Sequence, residues 1–349
     1  MQKWLTEVDS SEPDLPRLNE LDLVRLILAT AVVCQHATIL AHAPILAPLG
    51  SIPAVPIFIY LSGLLVSESL KRSKNTSDYL GKRIRRILPA YITIVVIGGL
   101  LAWGKAMLAR APGTSIQSLI NYFSNNLLFL NFRYPCAYPL PLGQDPNLCA
   151  VNGSLWSIKY ELVFYLLLPI LIGCSSQIKG KFLARSLGLG SWLALGIYSN
   201  MPIYTTIILC FLAGVGVSHW KKPILNNLEK LPATNPKIRA LCAIAITGLS
   251  GAGLPLFLTL PLITLVSFYP TKPQAQALNI LKFGDLSYGI YLIHFPIIQI
   301  FITSLPRNFK ETAWCSLLSL AASAILAALL YQGVEKRFLG KSNHYVCGG

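Results

Sequence analysis

The chain has 349 residues, 54% of them hydrophobic and only 12% charged, with a mean hydropathy of +0.57. Soluble domains carry about 25% charged residues, so this balance excludes an ordinary soluble protein and points to a polytopic membrane protein. The formal charge of +15, from 29 Lys and Arg against 14 Asp and Glu, sits in basic clusters between apolar runs; that pattern fits topology signals and argues against nucleic acid as a partner.

The first segment, residues 1–18, is polar and mixed in charge, with no apolar core of its own, and reads as cytoplasmic rather than as a cleavable leader. Ten spans are predicted after it, at 21–43, 53–70, 87–109, 154–174, 184–199, 203–220, 238–251, 253–269, 286–304 and 312–332. Several fall short of the ~20 residues a straight span prefers. Residues 116–130 (IQSLINYFSNNLLFL) read as an interfacial or re-entrant amphipathic helix. The basic stretches KRSKNTSDYLGKRIRR, KGKFLAR, HWKKPILNNLEK, TKPQAQALNILK and EKRFLGK all fall on one side of this arrangement. Both termini are therefore expected in the cytoplasm and the loop of residues 110–153 outside. The predicted fold is an all-α transmembrane bundle of about ten spans in the cell (inner or plasma) membrane. A membrane domain covers 19–340 and a cytoplasmic tail 341–349. The eight cysteines show no CxxC or metal-like spacing, and Cys136 and Cys149, flanking the Pro-rich outer loop, leave a disulfide open there.

Polar residues inside apolar segments are costly and mark function. In the first span, LDLVRLILATAVVCQHATIL holds Arg25 and His36. Eleven helical steps return to nearly the same azimuth, ~16 Å further along. The two side chains thus line one stripe, His36 toward the outer half and Arg25 toward the cytoplasm. In the second span, Ser62 and Gly63 (FIYLSGLLV) read either as small-residue helix packing or as part of a site. In YLGKRIRRILPAYI, Arg83 and Arg86 share a helix face beside Arg85, ahead of Pro89 and Tyr91. They read either as a topology anchor or as an anion site. VNGSLWSIKYELVFYLLLP carries Trp156, Lys159 and Glu161; Glu161 needs an ion pair or a cavity. LKFGDLSYGIYLIHFPI carries Asp285, Ser287, Tyr288, Tyr291 and His294. His294 alone reads first as a satisfied core histidine hydrogen-bonded to another helix. Glu335 ends the last span, where pairing with a cation at the helix end accounts for it. Phosphate loops, HExxH, GxSxG and EF-hand patterns are missing. The five histidines are dispersed, so no metal is expected.

In combination these elements resemble the acyltransferase-3 family of integral-membrane acyltransferases. The R-x10-H pair is Arg25 and His36. The LSG element is IFIYLSGLL, with Leu64 where an aromatic is usual. RxxR with Pro and Tyr is Arg83, Arg86, Pro89 and Tyr91. NGSLWSIKYELVFY and SYGIYLIHFP match the two later signatures. The likeness runs from about residue 19 to 340, departs at Lys159, and is to the stand-alone form without a fused extracellular domain.

The resemblance implies transfer of an acyl group, with acetyl the expected one, from acyl-CoA (acetyl-CoA first) to a hydroxyl of an envelope or secreted carbohydrate or glycolipid. It assigns catalysis to His36, Arg25 and Glu161. His36 serves as general base or acyl carrier, and Glu161 orients His36 or contacts the acceptor. Donor binding falls to Arg83, Arg86, Arg85 and Tyr91, whose guanidinium groups suit phosphates. Ser62, Gly63, Trp156, Ser287, Tyr288 and His294 are further motif positions. Membrane lipids are the remaining partners. The competing class is a transporter or flippase for a glycolipid or small metabolite, against which stands the lack of paired inverted halves.

Overall fold

A computed structural model describes residues 19–41, 47–111, 113–129, 150–173, 178–198, 201–228, 230–268, 286–304, 306 and 313–339. The terminal segments 1–18 and 341–349, Asp285, and the Cys136–Cys149 pair lie outside the described residues.

Among the described residues the chain is helical, without strands. In chain order the helices are α1 (Asn19–Ala41), α2 (Ala54–Lys71), α3 (Thr76–Leu108), α4 (Ile116–Leu127), α5 (Trp156–Gly173) and α6 (Ile178–Ile197). They are followed by α7 (Ile203–Leu228), α8 (Pro236–Gly251), α9 (Leu256–Phe268), α10 (Ser287–Ser304) and α11 (Ala313–Leu330). Among the described residues seven stretches are long and apolar enough to cross a membrane: Leu21–Ala41, Ala54–Lys71, Thr76–Leu108, Gly153–Leu171, Ile203–Trp220, Ser287–Ser304 and Trp314–Phe338. The predicted fifth and eighth spans are shorter apolar helices, Phe182–Ile197 and Leu256–Phe268, and the seventh falls in the 16-residue α8. The amphipathic segment is α4, started by a capping box in which Ser115 and Ser118 satisfy each other's backbone N–H.

The chain divides into two compact units, residues 1–28, 51–83 and 161–282 in the first and 29–50, 84–160 and 283–349 in the second. In the first unit α2 lies directly on α7. A Cβ on Gly63 would strike the carbonyl of Phe211, and one on Gly214 would strike that of Tyr60. With little apolar driving force between helices in lipid, such close backbone approach supplies the packing. A buried ion cluster pins the same pair: Glu68, only 3% exposed, accepts from Ser218 Oγ at 2.6 Å and Lys71 Nζ at 3.1 Å. In the second unit Gly289 of α10 sits on Ala327 of α11, where a Cβ would come within 2.8 Å of the alanine methyl. There α3 is tied to α4 by the buried Tyr91, whose hydroxyl donates to the Asn126 carbonyl at 2.9 Å.

Three prolines inside helices follow one rule. Proline lacks an N–H and leaves the carbonyl four residues earlier without its helical donor, which in lipid another group must replace. Pro169 frees the Tyr165 carbonyl, and Tyr79 Oη donates to it at 3.3 Å. Pro261 frees that of Phe257, and Trp192 Nε1 donates at 2.5 Å. Pro296 frees that of Leu292, and Asn152 Nδ2 donates at 2.7 Å.

Candidate active site

The Asn152 contact belongs to a clamp that presents α10. Asn152 Oδ1 caps the short turn Gly153–Leu155 by accepting from the Ser154 backbone N–H and hydroxyl. Ser154 Oγ also lies 3.1 Å from the Tyr291 carbonyl, and Tyr291 Oη donates to the Ser154 carbonyl at 2.9 Å. Ser157 Oγ adds a bond of 2.7 Å to the Tyr291 hydroxyl, and Gln299 Nε2 donates to the Ala150 carbonyl at 2.9 Å. Gly153 is required by the approach of Phe295, whose ring a Cβ would meet at 2.7 Å. The two late sequence signatures are thus one interlocked unit.

The clamp holds His294, which is fully buried, against His36 of α1. His294 Nε2 and His36 Nδ1 are 2.9 Å apart, and the ring centroids lie 5.0 Å apart with the planes tilted by 38°. His36 Nδ1 is also 3.2 Å from the Val32 carbonyl, and the edge of Phe295 packs on its ring at 5.1 Å. His36 remains partly exposed where His294 is not. Arg25 lies on α1 eleven positions before His36 and is half-buried.

Glu161 has its own setting in the first unit. Its carboxylate accepts from Ser62 Oγ at 3.0 Å and from the Tyr165 hydroxyl one turn along α5. The LSG element therefore divides its labour: Gly63 packs and Ser62 bonds a carboxylate. Arg83 donates from Nη2 to Ser69 Oγ at 2.9 Å, while its Nε is buried with no hydrogen-bond partner among the described residues. Arg86, in the second unit, pairs with Glu335 at 2.9 Å and stands over the Tyr288 ring, 5.7 Å from its centroid. The Tyr288 hydroxyl donates to the Ile87 carbonyl at 3.0 Å. Arg85 is exposed. Trp156 packs edge-on against Tyr160 at 5.9 Å, and Ser287 is buried at the start of α10.

Two features were beyond sequence reasoning. The Glu68–Lys71–Ser218 cluster had only the break in hydropathy at SESLK to signal it. The bonding of Asn152, Ser154 and Ser157 to α10 had no local signal at all. A cavity of about 230 Å³ in the first unit, walled by Trp192, Trp220 and Leu260 among others, includes none of the residues singled out from the sequence. Among the described residues no group of three or more His, Cys, Asp or Glu is placed to hold a metal ion.

A family described as an acyltransferase domain (Acyl_transf_3) matches residues 18–332. An O-acetyl transferase of Shigella phage Sf6 is 25% identical over 342 residues, covering 93% of this chain and 97% of that protein. Nodulation protein 10 of Rhizobium leguminosarum bv. viciae is 26% identical, covering 94% and 95% of the two chains. The peptidoglycan O-acetyltransferase OatA of Listeria monocytogenes is 24% identical over 90% of this chain but only 54% of its own length. No solved structure matches. The chain belongs to the acyltransferase-3 family and is a membrane-type enzyme that transfers acyl groups.

Proposed function

We propose that the protein is an O-acetyltransferase of the plasma membrane that moves an acetyl group from acetyl-CoA to a hydroxyl of an envelope carbohydrate or glycolipid, with His36 as general base. The observation that carries this reading is a partly exposed imidazole with one ring nitrogen held inside the protein, by the Val32 carbonyl and His294. An imidazole so tethered is oriented, and its other nitrogen is left to exchange a proton. Relatives named for O-acetyl transfer, one of them to peptidoglycan, support the carbohydrate acceptor.

In the proposed reaction the acceptor oxygen attacks the thioester carbonyl while its proton passes to His36. The tetrahedral adduct collapses with cleavage of the C–S bond. The thiolate takes the proton back, leaving an ester, free CoA thiol and neutral His36. Arg25 is assigned to the polar arm or thioester oxygen of the donor. Arg83, with Arg86 and Arg85, is assigned to its phosphates, through charge-assisted bonds. Glu161, already bonded to Ser62 and Tyr165, is assigned to the acceptor.

The test is incubation of membranes containing the protein with [14C]acetyl-CoA, followed by recovery of base-labile label in envelope carbohydrate. The wild type is expected to transfer label, and His36→Ala, present in membranes at wild-type level, to transfer none. Wild-type rates from His36→Ala overturn the role of the histidine. Labelled protein trapped in the absence of acceptor, and lost in His36→Ala, replaces direct transfer by an acyl-imidazole route.

A further inference from the structure

We infer that His294 is a positioning residue that holds His36 as its Nδ1–H tautomer, so that Nε2 of His36 is the atom that takes the acceptor's proton. This rests on the general-base reading above and specifies it to one nitrogen.

The argument is a count of donors and acceptors along a line of four groups. His294 Nδ1 lies 3.1 Å from the Ile290 carbonyl. A carbonyl only accepts, so this nitrogen carries the hydrogen. In a neutral imidazole the other nitrogen is then an acceptor, and His294, fully buried without a carboxylate in hydrogen-bond range among the described residues, is held neutral by the cost of burying an unpaired charge. His294 Nε2 therefore presents a lone pair to His36 Nδ1 at 2.9 Å. His36 Nδ1 must donate. The Val32 carbonyl, 3.2 Å from the same nitrogen, makes the same demand. Two independent acceptors thus place the hydrogen on Nδ1 and the lone pair of His36 on Nε2.

The chain of bonds runs one way, from His36 through His294 to the carbonyl of Ile290. When Nε2 takes up a proton, the positive charge strengthens the Nδ1–H bond to His294, whose own hydrogen is anchored on a helix carbonyl. In serine hydrolases a carboxylate fixes the tautomer of the base and stabilises its cation. Here a neutral imidazole does both without placing a second charge in the membrane. Its position depends on the clamp described above, because Asn152 bonds the carbonyl of Leu292 and the Tyr291 hydroxyl bonds the carbonyl of Ser154, with Leu292 and Tyr291 both lying just before it on α10.

The test has two arms on the full chain in lipid nanodiscs. The first is two-bond 15N–1H correlation of 15N-histidine protein, with His36 among the five histidines identified by its disappearance in His36→Gln. A protonated Nδ1 and bare Nε2 are expected, and a protonated Nε2 overturns the inference whether or not acetyl-CoA proves to be the donor. The second arm compares His294→Gln with His294→Phe in acetyl-CoA-dependent labelling. A glutamine oxygen can stand at the place of Nε2 and accept from His36, while phenylalanine only fills space. His294→Phe is expected to lower kcat about 100-fold or more with the KM for acetyl-CoA unchanged, and His294→Gln to recover most of the loss. Equal rates in the two variants, or a faster phenylalanine variant, overturn the positioning role. A wild type that takes no label from acetyl-CoA, with the expected His36 spectrum, refutes the donor and leaves the tautomer standing.

Discussion

Asn152 and Pro296 are 144 positions apart in the chain, yet each explains the other. The proline leaves the Leu292 carbonyl bare and the asparagine covers it. A buried acceptor that loses its donor costs about 1–3 kcal/mol. Asn152→Ala is expected to lower the melting temperature by the equivalent of that loss. Pro296→Ala in the same background is expected to restore part of it, because the new N–H can reach Leu292; thermal unfolding in detergent measures both. Arg83 and Arg86 look alike in sequence and differ in their surroundings. Arg86→Ala removes the cation paired with a carboxylate that is only 2% exposed, Glu335, at about 3–5 kcal/mol, and Glu335→Gln added to it is expected to recover most of the stability. Arg83 forms no ion pair among the described residues, and its buried Nε has no hydrogen-bond partner there. Arg83→Ala is therefore the cleaner probe of donor binding. It is expected to raise the KM for acetyl-CoA about tenfold, the worth of one charge-assisted bond, and an unchanged KM removes Arg83 from the donor site.

The helices themselves were legible, because hydropathy and periodicity are local properties. The long apolar runs became α1, α2, α3, α5, α7, α10 and α11, and the amphipathic stretch became α4. What each helix packs on was not. Gly63 and Gly214 face each other's chain only because α2 crosses α7 there. Gly63→Leu is expected to abolish accumulation of folded protein, read by size-exclusion of a fluorescent fusion. Gly248→Ala, at an open position of α8, is the control, and there the gain in helix propensity is worth about 0.5–1 kcal/mol.

Across the whole molecule, parity constrains the topology. Among the described residues seven stretches qualify as spans by length and composition, and two termini on one side of a membrane demand an even number of crossings. The basic residues at the ends of the spans favour a cytoplasmic location for both ends. The ten-span expectation, which adds α6, α8 and α9 to these seven, has that parity. Fluorescent and alkaline-phosphatase fusions at each terminus test this, and opposite locations for the two ends refute it.

By itself the sequence determined the class of the protein, its helices, and the residues that carry the family likeness. Each of these is written in runs of neighbouring residues: apolar length, helical period, and short signatures such as the Arg25–His36 pair. Only the tertiary structure decided the partnerships. His36 meets His294, Arg86 meets Glu335, and Asn152 meets Leu292 across 258, 249 and 140 positions. The physical reason is that a buried polar group in an apolar interior accepts whatever complementary group helix packing brings within 3 Å or so. That packing is set by small residues and proline-freed carbonyls spread along the whole chain, which no local window contains.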